Sequence, residues 1–387
     1  MHNIKKIRIL AVIFCVFILS ATCFAQVQLL EVTIIGNVNN GEYWSNFSLI
    51  ADKGDILKLS AVVTARVENM YSSVYLSEIN QLVMDHDTIA SGKVIPFKNV
   101  LEKPPELYWY RIEPVNIDTF YLNHPGNVTP FAAIPYHEVP IPRWTNRWIV
   151  DLRSLPDKDQ LFPGTIWLKV EVVLDRQFAA SPGCENRMKV YDTIDFGGLN
   201  HKVFRAGIKG RTECTFIDNI LLYRNLPVII NPLSWSGSGD DHQTSQWIGG
   251  NLISFMIAAA EMSGIKLWNY PDKLPLPELN FYDVTEYYRK NVYLNDDIFT
   301  TEEGETIGLN KIIYDKGDIL LNNDRVGILY EDRSPVNSDQ GGGSNKLLDR
   351  YDLILECNYH SMQITTIEQS LGDTIQLIRW KNRWKKY

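Results

Sequence analysis

From residue 27 to about residue 190 the chain runs in short blocks in which apolar, β-branched and aromatic positions alternate with polar ones or form brief unbroken runs. Val32–Gly36 (VTIIG), Ile56–Ala65 (ILKLSAVVTA), Tyr108–Ile112 (YWYRI), Trp148–Leu152 (WIVDL) and Thr165–Leu174 (TIWLKVEVVL) have the pattern of half-buried or fully buried strands. Turn residues separate them: Asn39-Asn40-Gly41, Lys53-Gly54-Asp55 and the Pro-rich stretch Pro135–Pro142. The pattern predicts a β-sandwich of immunoglobulin-like size over residues 26–200, with an open β-barrel as the alternative.

The texture changes near Phe204. In Thr212–Asn225 (TECTFIDNILLYRN) the apolar Phe216, Ile217, Ile220 and Leu221 recur at helical spacing, with Thr212 or Thr215 available as a cap and Pro227 beyond the end. A polar loop, Trp235–Gln246 (WSGSGDDHQTSQ), leads to a second, mostly apolar helix over Gly250–Gly264, with Gly264 as its C-cap. A further helix is expected around Val284–Lys290. Lys316–Glu331 reads as a hairpin turning through Asn322-Asn323-Asp324, and Leu353–Glu356, Gln363–Ile367 and Thr374–Trp380 add strands. Helices first and an antiparallel sheet afterwards make residues 205–387 an α+β unit.

The N-terminus adds a location. Lys5, Lys6 and Arg8 precede an apolar run, Ile9–Leu19, and a small-residue segment that ends at Ala25. This is the pattern of a signal peptide over residues 1–25, with a run too short to cross a bilayer, so an exported, periplasmic or extracellular protein without a membrane span is expected. Cys23 as a lipid-carrying cysteine is the competing reading, disfavoured by Thr22 before it. The full chain carries a formal charge of −8; the signal holds three cations and no acid, so the mature form stands at −11. A general nucleic-acid binder should be basic, and that class is excluded. Cleavage also removes Cys15 and Cys23, leaving Cys184, Cys214 and Cys357, either one pair with a spare thiol or three buried thiols. No Cys or His spacing reads as a metal site, and no cofactor is implied.

Two blocks in the second half resemble the NlpC/P60 family of papain-like cell-wall cysteine peptidases: QWIGGNLISFMIAAAEMSGIKL (Gln246–Leu267) and, about fifty residues further on, KGDILLNNDRVGILYED (Lys316–Asp332). The family pattern is an Asp-Cys pair opening an apolar helix that ends in glycine, then a Gly-Asp strand, then a His-Val-Gly strand. The resemblance implies that Asn251 stands at the aspartate position, Leu252 at the nucleophile, Arg325 at the general base, and Glu356 or His360 at the orienting group. A leucine and a guanidinium cannot form and use a thiolate. The resemblance therefore implies a fold-retaining pseudoenzyme.

Cys214, near the start of the first helix, is the alternative nucleophile for an active peptidase or amidase; the opposing reading is a buried structural thiol. Trp235, His242 and Trp247, together with Arg325, have the flat faces and hydrogen-bonding groups of a peptide or glycan groove, or else cap the core. Arg325 and Glu356, on neighbouring strands, either pair with each other or leave Arg325 to bind a ligand carboxylate. The tail Arg379–Tyr387 sets five cations among three aromatics, a patch for anionic polymers or a solvated strand end, and Gln340–Ser344 is a flexible loop by composition. Three functions remain open: a binding or scaffolding module for peptidoglycan or an envelope protein, an active cysteine peptidase, and a purely structural envelope protein.

Overall fold

A computed structural model describes residues 27–67 (without 42 and 47), 74–79, 94–99, 103–114, 136–156, 162–184, 202–227, 250–264 (without 251), 285–308, 316–333 (without 323 and 324), 344–357 and 361–380. The fold is mostly β. Strands are numbered in chain order. One sheet runs β1 (Val27–Val38), β3 (Leu57–Val67), β4 (Val74–Ser77) and β5 (Val94–Pro96), with β8 (Ile149–Asp151) also paired to β3. A second runs β2 (Ser48–Asp52), β11 (Phe204–Lys209), β9 (Gly164–Leu174), β6 (Glu106–Pro114) and β7 (Tyr136–Pro140), with β10 (Gln177–Ala180) also along β9.

Alternation explains why these two sheets pack face to face. Along β9, Ile166, Leu168, Val170, Val172 and Leu174 enter a core shared with Val32, Ile34, Leu59, Ala61 and Val63 of the first sheet. Thr165, Trp167, Lys169, Glu171 and Val173 then point the other way, as a period of two requires. Two of the turns expected from sequence form: Asn39 and Asn40 both hold positive φ, at 52° and 56°, where asparagine is tolerated, and Gly54 takes φ 101°. The Pro-rich stretch does not turn: Tyr136–Pro140 is the strand β7, paired with β6 at the edge of the second sheet, where proline is tolerated. One boundary moves. β11 was expected to open the second unit, but it pairs parallel to β2 and antiparallel to β9, so the sandwich runs on to Lys209.

The second half holds a seven-stranded antiparallel sheet in the order β13 (Ile298–Thr300), β12 (Thr285–Asn295), β18 (Thr374–Trp380), β14 (Ile319–Asn322), β15 (Arg325–Glu331), β16 (Leu353–Cys357) and β17 (Met362–Thr366). The expected hairpin is β14–β15. Where a helix is expected around 284–290, residues 285–290 are strand instead: they belong to β12, whose partner β18 lies more than eighty residues further on. Two helices, α1 (Thr215–Ile220) and α2 (Leu252–Met262), lie on one face of this sheet, and α3 (Ile367–Ser370) packs into the core on the other. Cys214, not a threonine, takes the cap position of α1, and its side chain makes no capping bond. Gly264, at φ 74°, ends α2 as read.

The halves share a core. Ile112, Trp167 and Val203 from the outer side of the second sheet join Phe216, Ile217 and Ile220 of α1, Phe255, Met256 and Ala259 of α2, and Ile319, Ile328, Leu355 and Ile378 of the third sheet. The two helices are thus a layer between two sheets. Hydrogen bonds fix the seam: the Thr165 N–H donates to Arg224 O at 3.1 Å and its hydroxyl to Leu222 O at 2.7 Å.

Candidate functional site

Of the residues that resemblance places at a catalytic centre, Arg325 lies on β15 and Glu356 beside it on β16, and alternation decides where each side chain goes. Val326, Ile328 and Tyr330 pack toward α1 and α2, while Leu329 enters the opposite core with Ile367 and Leu371. Arg325 shares the parity of Leu329. Its Nη1 donates to Ser370 O at 2.7 Å, so a cation sits at the carbonyl end of α3. Glu356, opposite Gly327 on β16, accepts from Gln363 Nε2 at 2.7 Å and from the hydroxyl of Ser370. Arg325 and Glu356 therefore meet at Ser370 rather than in an ion pair. Gly327, between Arg325 and Leu329, leaves room for the core side chains beside it, since a Cβ there would lie 2.7 Å from Ile354 Cδ1.

Leu252 lies in the first turn of α2, in the core on the helix side of the sheet. α2 and the hairpin share that core. The expected approach of Leu252 to Arg325 does not occur, because Val326 faces the helices and its neighbour Arg325 must face away.

Cys214 is buried at the cap of α1, and its thiol donates to Lys316 O at 3.7 Å. The thiol, not the thiolate, makes this bond. Gly317 bonds to Leu329, which sets Lys316 at the far end of β15, roughly 13 Å of strand from Arg325. No disulfide joins Cys184, Cys214 and Cys357. Burial pushes the Cys184 thiol up to about 12 and raises Cys357 as well, which leaves both poor nucleophiles.

Two polar groupings were not read from the sequence. On the outer face of the second sheet, Lys169 Nζ bonds Glu138 and Glu171, each at 2.7 Å, and lies 5.5 Å over the ring of Tyr110. In the loops beside β15 and β16, Asp332, Asp349 and Asp352 accept backbone N–H groups from Asn345, Tyr351, Arg333 and Asp349. These carboxylates hold loop backbone. Burial nevertheless pushes Asp352 up to about 8 and raises Asp349. Strand pairing brings the first set together and loop closure the second, so neither leaves a local motif. Among the described residues no group of three or more His, Cys, Asp or Glu is placed to hold a metal ion, and no helix is long and apolar enough to cross a membrane.

The groove residues Trp235, His242 and Trp247, together with Asn251, His360, residues 1–26, 340–343 and 381–387, lie outside the described residues. No protein-family model, curated protein or solved structure matches the chain.

Proposed function

We propose that the protein is an exported binding or scaffolding module of the cell envelope, acting on peptidoglycan or an envelope protein, and that its NlpC/P60-like second half is a pseudoenzyme without peptidase chemistry. The observation that carries this reading is the use made of Arg325: it holds the carbonyl end of α3, on the opposite face of the sheet from α2 and Leu252. Export rests on the pattern of residues 1–25. The test is incubation of the mature protein with purified sacculi, followed both by sedimentation and by analysis of released peptides. Cosedimentation without release is expected. Thiol-dependent release abolished by Cys214→Ser would overturn the pseudoenzyme reading, and absence of cosedimentation the peptidoglycan one.

A further inference from the structure

The sandwich carries a second surface, distinct from the one around Arg325. Among the described residues, α1 and α2 pack on the outward face of the second sheet at its Trp167 end. At the other end the pairing of β10, β9 and β6 sets out a grid: Phe178, Val173 and Glu106 stand side by side across the three strands, and Ala180, Glu171 and Tyr108 form the next row. Phe178 is 62% exposed, the most open large apolar side chain among the described residues. Phe178 and Tyr108 lie two strands apart and one row apart, about 12 Å by sheet geometry. That distance exceeds one sugar ring.

The polar groups between them are ordered acceptors. The Tyr108 hydroxyl donates to Glu106 at 2.7 Å, and the Tyr110 hydroxyl to Glu171 at 2.9 Å. Glu171 is further fixed by Lys169, whose ammonium also bonds Glu138. Three carboxylates against one ammonium make this face repel polyanions, anionic lipid included. Flat rings beside carboxylate acceptors match a ligand with apolar C–H faces edged by hydroxyl or amide donors.

We infer that the Phe178–Tyr108–Glu106–Glu171 face binds a neutral glycan chain, with sugar rings stacked on Phe178 and Tyr108 and their hydroxyls donated to Glu106 and Glu171. The inference rests on the proposed envelope role and gives it a glycan-directed surface. Its test uses chitohexaose, a neutral acetamido-sugar oligomer, titrated into the full mature chain by calorimetry, with sacculi cosedimentation and light scattering in parallel. Phe178 and Tyr108 are not core residues, so a Phe178→Ala, Tyr108→Ala variant is expected to keep its thermal midpoint while binding the oligomer at least about tenfold more weakly. If sacculi sediment the variant as well as the parent, or the parent binds sacculi but not chitohexaose, the glycan face is overturned and the envelope role stands. If the parent binds neither, the glycan face falls together with the peptidoglycan reading of the proposed role. A parent that is dimeric and becomes monomeric in the variant marks the face as a contact between copies, which also overturns the inference.

Discussion

Ser370 shows at single-residue scale how the second half uses its polar groups: its carbonyl accepts from Arg325 and its hydroxyl donates to Glu356. Arg325 is exposed, so Arg325→Ala should cost at most about 1 kcal/mol, the usual size of a cation at a helix carbonyl end. Gly327→Ala adds only a methyl group, but Ile354 Cδ1 stands 2.7 Å and Leu371 Cδ1 3.3 Å from where it would go. Overpacking of that kind costs about 1–3 kcal/mol, so urea denaturation should rank Gly327→Ala below Arg325→Ala in stability. An Arg325→Ala less stable than Gly327→Ala would show that Arg325 does more than hold the carbonyl end of α3. Asp352 yields a pH dependence. Its folded pKa, about 8, lies above the roughly 3.9 of an unfolded aspartate, so the folded state binds the proton more tightly. Its contribution to stability therefore grows as pH falls from above 8 toward 4. Urea midpoints at pH 9, 7 and 5 should shift in favour of the wild type over Asp352→Asn as pH falls; parallel curves would show that Asp352 does not titrate in this range.

At the scale of elements, the sequence reveals what is local and conceals what is paired at a distance. Of the strands expected at Ile56–Ala65, Tyr108–Ile112 and Thr165–Leu174, the first forms from Leu57 onward in β3 and the others within β6 and β9, because alternation and flanking turns both point to them. The helix α2 also forms: an apolar run of that length, closed by Gly264, favours helix over strand. β12 differs from its sequence pattern: the charged TEYYRK segment looks amphipathic, and only pairing with β18 makes it strand. The facing of Arg325 was hidden for a similar reason. A hairpin can be read from two apolar runs, but which of its two faces meets the helices depends on packing, and an error of one residue moves every side chain to the other face. For α2 itself, Phe255 is fully buried and stacks on Tyr223 with ring centroids 5.1 Å apart. Phe255→Ala should cost about 3–5 kcal/mol, read as a lowered urea midpoint. A cost below about 1 kcal/mol would mean that α2 is not docked in this core.

At the scale of the whole molecule, the two textures of the sequence suggest two independent units, whereas the structure gives them one core between the second and third sheets. Trp167 tests whether that core acts as a unit. It belongs to the sandwich strand β9, yet it is buried on the side of α1 and α2, with Tyr136 edge-on at 5.6 Å. Independent halves would leave Trp167 a local matter of the sandwich. A shared core instead transmits its loss to the third sheet through α1 and α2, because their apolar residues touch both layers. Two native thiols report on the two sides: Cys184 beside the second sheet, where its N–H donates to Glu138 at 3.0 Å, and Cys357 in β16 of the third. Thiol labelling along a urea gradient should show both becoming reactive at one midpoint in the wild type. Trp167→Ala, at about 3–5 kcal/mol, should lower both midpoints together. If only the Cys184 midpoint moves, the sandwich unfolds by itself and the common core is a contact between two separately stable domains.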